Sequence, residues 1–132
     1  MTTYGLLDTS AVVGLENERI YDLALIPDEI SISVVTLAEL QVGIHAARDT
    51  DTRARRMATF DWVSELETHD IDADAAIEWS RMRYRLAESG RRANVNDLWI
   101  AAVALAHGLP VVTQDGDFTT FEEVGGPVVI RI

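Results

Sequence analysis

The chain has 132 residues, of which 48% are hydrophobic and 25% are charged, so it has the length of one domain and enough apolar side chains for a sizeable core. Its formal net charge of −11 excludes a protein that grips nucleic acid through a generally basic surface. The lack of cysteine excludes disulfides and thiolate metal sites, and no apolar run reaches the roughly 18 residues of a membrane span.

The chain opens with a short predicted strand that ends in an acid. The segment MTTYGLLDTS has neither the basic region nor the long apolar region of a signal peptide, so we expect a cytoplasmic protein. YGLL predicts a strand that ends at Asp8, and Thr9 or Ser10 is placed to cap a short helix after it. The next run, ISISVVTLAEL, alternates as a strand does and becomes helical after Thr36, the predicted cap of a helix that reaches about Ala47.

The middle of the chain is predominantly helical in pattern. Apolar residues recur at helical spacing over about residues 51–67 and again over residues 74–89, after which Gly90 takes the usual C-terminal position. Asn94 or Asn96 is then placed to cap DLWIAAVALAH. The apolar stripe of this segment predicts a helix packed on the core.

Two strands close the chain. LPVVTQD predicts a buried strand whose exit carries Asp115, and PVVIRI predicts a terminal strand. Strands that alternate with helices indicate an α/β domain. We therefore predict a single domain over residues 1–132, with a mainly parallel central sheet flanked by helices.

Four acids from distant parts of the chain are predicted to meet at one edge of this sheet. Asp8 and Asp115 follow strands, Glu39 lies one helical turn after a third apolar run, and Asp97 opens a helix. In an open parallel sheet the functional crevice lies at the carboxyl ends of the strands. Clustered carboxylates repel one another, and a divalent cation such as Mg²⁺ relieves that repulsion. One or two such ions can activate water for phosphodiester cleavage.

Each of these acids also has a purely structural interpretation. Asp8 is suited to cap the helix that follows it, and Glu39 stands at the capping-box position relative to Thr36. Asp97, in the first turn of a helix, complements the helix dipole.

The stretch VVTQDGDF contains a second acid beside Asp115. Asp115 and Asp117 fit a tight turn around Gly116, a residue that is able to adopt positive φ. Spacing alone leaves open whether these two acids belong to a turn or to a metal site.

Four segments together resemble a PIN-domain protein: LLDTSAV, VVTLAEL, NDLWIAAVALAHGLPVVTQDGDF and VVIRI. They occur in the expected order through essentially the whole chain, which more closely resembles the VapC-type toxins of toxin–antitoxin pairs. The third segment is long and its pattern is specific. The resemblance implies a doubly wound α/β fold, a Mg²⁺- or Mn²⁺-dependent endoribonuclease, frequent dimerisation and neutralisation by a cognate VapB-like antitoxin.

The same resemblance implies which residues form the site. Its metal-binding and catalytic acids fall on Asp8, Glu39, Asp97 and Asp115. Thr113 matches a hydroxyl residue near the metal in similar proteins, and Asp117 matches a further acid of less certain role.

Two other functions remain open on the sequence. One is a PIN-type nuclease that processes RNA or cleaves DNA, which would carry the same acids. The other is a catalytically inactive PIN-like binding module, against which the four intact acids argue. The RNA target is not determined. The charge of −11 suits an antitoxin that brings Arg or Lys into the acidic pocket, with the helix over residues 51–67 and the one before it as its docking surfaces.

Overall fold

The centre of the molecule is a five-stranded parallel sheet. The computed structural model describes residues 1–20 and 22–132. The strands are β1 (Tyr4–Leu7), β2 (Glu29–Ser33), β3 (Glu67–His69), β4 (Val111–Thr113) and β5 (Val129–Arg131). Their order is β3-β2-β1-β4-β5, and every neighbouring pair is parallel, which confirms the predicted fold class. The chain leaves β1 towards β3 and then crosses back to β4, so the topological switch point lies between β1 and β4.

The described residues form six α-helices, most of which begin at a side-chain cap. The helices are α1 (Thr9–Glu16), α2 (Val34–Ala46), α3 (Thr50–Ser64), α4 (Ala73–Glu88), α5 (Val95–Ala106) and α6 (Phe118–Glu123). Five of them have a cap whose side-chain oxygen accepts a backbone N–H from the first turn: Asp8, Ser33, Asp49, Asp72 and Asn94. Each such cap stabilises its helix by about 1 kcal/mol.

Several predicted element ends were wrong. Asp8, and not Thr9 or Ser10, caps α1. Helix α2 begins at Val34 because the Ser33 hydroxyl accepts the backbone N–H of Thr36, so Thr36 is not a cap and forms no capping box with Glu39. Strand β3 and helix α6 were not predicted. The residues ETH of β3 contain no apolar side chain, unlike the equally short β4 and β5, and the six residues of α6 are too few for a helical period.

Both faces of the sheet are buried by helices. Leu6 and Val111 pack with α4, α5 and α6, whereas their neighbours Leu7 and Val112 pack with α1, α2 and α3. Successive residues of a strand point to opposite faces, so β1 and β4 each contribute one side chain of a neighbouring pair to each layer of the core. None of the helices within residues 1–20 and 22–132 combines the length and the apolarity that a membrane crossing requires.

Candidate active site

Asp8 is held at the exit of β1 by three donors, one backbone N–H and two hydroxyls. The Ala11 backbone N–H donates to Oδ1 at 2.8 Å, the Thr113 hydroxyl to Oδ2 at 2.5 Å, and the Ser10 hydroxyl to Oδ1 at 2.8 Å. Asp8 is only 2% exposed, and this burial raises its pKa to about 6 although the hydrogen bonds oppose the shift. The carboxylate therefore caps α1 and is also oriented at the switch point of the sheet.

Asp97 shows that the predicted acids converge. It lies in the first turn of α5, half-buried, and its pKa is raised to about 6 by burial and then by neighbouring negative charge. The charges responsible, from largest to smallest, belong to Asp115, Glu39, Asp8 and Asp117. These acids come from separate elements of the chain, so the fold gathers them within electrostatic reach of one another.

Glu39 faces helix α1 from helix α2. Its Oε1 accepts the Thr9 hydroxyl at 2.7 Å, and that hydroxyl also lies 3.2 Å from the Thr36 hydroxyl. Thr9 directly follows Asp8, and the charge of Glu39 also raises the pKa of Asp97, so Glu39 lies near these two acids. Sequence reasoning treated Thr9 and Ser10 only as helix caps and missed their contacts with these carboxylates. Two hydroxyl residues directly after Asp8 were the available signal.

The turn after β4 gives Asp115 and Asp117 different roles. The Asp115 backbone N–H donates to the Thr113 hydroxyl at 2.8 Å, and Asp115 Oδ1 accepts the Asp117 backbone N–H at 2.9 Å. Asp117 is exposed and forms no side-chain cap with α6. The suggested positive φ at Gly116 was wrong, since the glycines with positive φ are Gly90, Gly108 and Gly125.

The donor set matches a hard divalent cation. Carboxylate oxygens are ligands that Mg²⁺ and Mn²⁺ prefer, and the raised pKa values of Asp8 and Asp97 show the cost of leaving these groups uncompensated. Within residues 1–20 and 22–132, no three Asp, Glu or His side chains lie close enough together to hold a metal ion between them.

Three cavities lined by arginines lie at or near the acids. One of about 150 Å³ lies beside Asp97 and Asp117 and is also lined by Arg92. A second of about 350 Å³ is lined by Glu39 together with Arg55 and Arg56 of α3. The third, of about 450 Å³, is lined by Arg19 and Arg131 and reaches the acids only through Ser10, whose hydroxyl donates to Asp8.

A further cavity lies away from these residues. It has a volume of about 370 Å³ and is lined in part by His69 and His107, whose ring centroids are 4.2 Å apart. His107 follows the C-terminal end of α5, the opposite end of that helix from Asp97. None of the predicted site residues lines this cavity, so the acidic centre remains the candidate active site.

Comparison with known proteins agrees with this geometry. Residues 5–124 match the model of the PIN domain. Ribonuclease VapC5 of Mycobacterium tuberculosis is 52% identical over 128 residues, which cover 97% of this chain and 95% of that protein. The tRNA(fMet)-specific endonuclease VapC of Shigella flexneri is 38% identical over 96 residues, covering 72% and 69%. The crystal structure of VapBC-5, a toxin–antitoxin system of M. tuberculosis, superposes with a TM-score of 0.84 at 51% identity over 98% of each chain.

Proposed function

Because the chain belongs to the PIN-domain family and, within it, to the VapC ribonucleases, we propose that it is a metal-dependent endoribonuclease and the toxin of a type II toxin–antitoxin pair. One domain over residues 1–132 carries the activity. The observation that supports this most directly is the raised pKa of Asp97 at the carboxyl edge of the sheet, which burial causes first and the charges of Asp115, Glu39, Asp8 and Asp117 increase further. A cluster of carboxylates that is costly without a cation is what a metal-dependent nuclease requires.

The residues that would hold one or two Mg²⁺ or Mn²⁺ ions, directly or through water, are the four predicted acids: Asp8, Glu39, Asp97 and Asp115. When bound, such an ion lowers the pKa of water and offsets the charge that develops on a phosphodiester. Thr113 supports the site by orienting Asp8, and Asp117 stands at its exposed rim.

The protein groups contribute orientation. The donors to Asp8 fix its carboxylate before substrate arrives, and Thr9 fixes Glu39. The backbone N–H of Asp117 engages one oxygen of Asp115 and leaves the other outside that bond. Asp97, whose pKa without a cation is raised to about 6, would be held in its ionised form by a bound cation.

Removal of divalent ions is expected to abolish RNA cleavage. The purified protein would be incubated with total bacterial RNA and with tRNA(fMet), with Mg²⁺ or Mn²⁺ present and then with a chelator in excess. Cleavage should disappear with the chelator and return when the ion is restored. A single-stranded DNA of matched sequence serves as the control for substrate class. Undiminished cleavage in chelator would contradict a metal-dependent site, and preferential DNA cleavage would contradict the ribonuclease.

We propose that the partner is a VapB-like antitoxin that places a basic side chain among the acids. The charge of −11 favours such a partner, and exposed apolar side chains on α2 and α3, namely Val42, Met57 and Trp62, offer it a docking surface. The assembly is a homodimer or a toxin–antitoxin hetero-oligomer in the cytoplasm.

Expression of the chain alone is expected to arrest bacterial growth, and co-expression of the small protein encoded beside it should relieve the arrest. A structure of the complex should then show the acids covered. A complex in which Asp8 and Asp97 remain open and metal-loaded would contradict the occlusion.

A further inference from the structure

The third cavity beside the acids has features of an anion site. Its volume of about 450 Å³ lies in the usual range of ligand pockets. It is lined by Ser10, Val13, Arg19, Gln114, Arg131 and Ile132. The Ser10 hydroxyl that borders it also donates to the Asp8 carboxylate at 2.8 Å. The cavity therefore begins one side chain away from the acidic centre.

Gln114 connects this cavity to the acids and fixes Arg19 beside it. Its backbone N–H donates to the Ser10 hydroxyl at 2.9 Å, and its side-chain amide donates to the Arg19 carbonyl. The Arg19 backbone N–H donates in turn to the Gly14 carbonyl at 2.8 Å. A Cβ at Gly14 would lie 2.5 Å from Gln114 Oε1, so only glycine lets the amide approach this closely. The backbone of Arg19 is thus held at both its N–H and its carbonyl.

Arg131 reaches the same cavity from the end of β5. Its Nη2 donates to the Gln114 carbonyl at 3.2 Å. A Cβ at Gly116 would lie 3.2 Å from its Nη1, so glycine in the turn leaves room for the guanidinium beside the loop that carries Asp115. The side-chain amide of Gln114 therefore binds the Arg19 backbone, and the backbone carbonyl of Gln114 binds the Arg131 guanidinium.

The two guanidiniums have no carboxylate partner. Among the described residues, no carboxylate oxygen lies within 4 Å of either group, although the protein carries 22 acids. Arg55, Arg81 and Arg91, by contrast, pair with glutamates, whereas Arg131 donates only to the backbone carbonyl of Gln114. Uncompensated guanidiniums in a defined cavity are suited to bind an anionic oxygen, and a phosphate oxygen above all.

We propose that Arg19 and Arg131 form a subsite for an RNA backbone phosphate that neighbours the phosphodiester at the acidic centre. This subsite rests on the proposed ribonuclease function and explains how a chain of net charge −11 retains an RNA strand. The pair supplies the local positive charge, while Gln114 holds the backbone of Arg19 and the guanidinium of Arg131 beside Ser10, which contacts Asp8. The two arginines are positioning residues, since they touch the flanking strand and not the bond that breaks.

RNA binding tests the subsite separately from cleavage. An Asp97→Asn background prevents turnover, and the probe is a single-stranded RNA of mixed sequence, about 12 nucleotides long, in Mg²⁺. Arg19→Gln with Arg131→Gln should weaken binding roughly 10- to 100-fold, the usual contribution of charge-assisted hydrogen bonds. The slope of log affinity against log salt should become shallower by about 0.7, the value for one phosphate contact on a single strand. Arg48→Gln with Arg83→Gln makes the same charge change on residues that line none of the three cavities.

Substitution of single phosphates supplies the second measurement. Replacing one phosphate at a time by a neutral methylphosphonate should weaken binding to the Asp97→Asn protein at one position, and the Arg19/Arg131 variant should no longer respond there. An unchanged affinity and salt slope in that variant, or equal losses in the Arg48/Arg83 control, would overturn the subsite and leave these arginines to a protein partner. A wild-type protein that cleaves no RNA in Mg²⁺, while the Asp97→Asn protein binds RNA with the expected salt slope, would overturn the nuclease function alone. A protein that binds no RNA at all would overturn both the phosphate subsite and the nuclease function.

Discussion

Asp97→Asn is expected to remove RNA cleavage and, in metal-free buffer, to make the protein more stable. The activity should fall about 10²- to 10⁴-fold, because the substitution removes one of the charged ligands proposed for the cation. The stability should rise because burial and four neighbouring acids oppose the ionised form of Asp97. The proposed metal-binding role and the structural cost thus belong to one side chain.

The size of the stability gain follows from two opposing effects. A pKa raised from 3.8 to about 6 corresponds to about 3 kcal/mol if undiminished, and the partial exposure of Asp97 reduces this to roughly 1–2 kcal/mol. In the opposite direction, the negative charge of Asp97 in the first turn of α5 stabilises the folded protein by about 0.3–1 kcal/mol through the helix dipole. Repulsion therefore outweighs the dipole, and the amide should be favoured.

The pH dependence has a definite sign. Between pH 3.8 and about 6, the folded protein binds more protons at Asp97 than the unfolded chain does, so the destabilisation is present above about pH 6 and disappears as the pH falls towards 3.8. The advantage of the asparagine variant should be largest above about pH 6 and vanish near pH 4. Urea denaturation of both proteins with a chelator, repeated across this range, measures it.

Asp74→Asn is the matched control, because Asp74 is an exposed acid in the first turn of α4. It should lose about 0.3–1 kcal/mol through the helix dipole and retain cleavage. Mg²⁺ should stabilise the wild type and the control more than the Asp97 variant. A folded Asp97→Asn protein with full activity, or one less stable than wild type without metal, would contradict the assignment.

Thr113→Val is expected to destabilise the protein and to impair cleavage although it preserves shape. The buried hydroxyl donates to Asp8 Oδ2 at 2.5 Å and accepts the Asp115 backbone N–H at 2.8 Å. Valine removes both bonds, so the Asp8 carboxylate loses a donor and an N–H loses its acceptor. Hydrogen bonds to charged groups contribute about 1.5–3 kcal/mol, and we expect a loss of about 2–3 kcal/mol.

The valine variant should also titrate differently. Removal of the Thr113 donor raises the pKa of Asp8 above its present value of about 6, so protons should compete with a cation up to a higher pH. Cleavage should fall about 10- to 100-fold near neutrality, the usual effect of losing a partner that orients a metal ligand, and should recover partly as the pH rises. The stability loss should be larger at about pH 8, where Asp8 is ionised, than at about pH 5.

Thr113→Ser keeps the hydroxyl and serves as the control. It should retain most of the activity and the wild-type pH profile, at a cost of about 1 kcal/mol for the buried methyl group. The same pH profile in the valine and serine variants would show that the hydroxyl does not tune Asp8.

The sequence predicted those features that a local pattern encodes. Alternating and helical spacing of apolar residues were enough for four strands and the five longer helices, because each pattern reports how one segment buries its own face. The acids were found from their places after strand ends and from the family resemblance. Strand β3 was not predicted, because its three residues ETH carry no apolar pattern and only their pairing with β2 makes them a strand.

Only the tertiary structure decided how these residues work together. Asp8 and Thr113 are adjacent because β1 and β4 pair in parallel at the switch point, and no local pattern carries that register. The raised pKa values arise from burial and from charges on distant elements, and both exist only once the chain has folded. Arg19 and Arg131 share one cavity for the same reason, because Gln114 binds both through contacts between parts of the chain that are far apart in sequence.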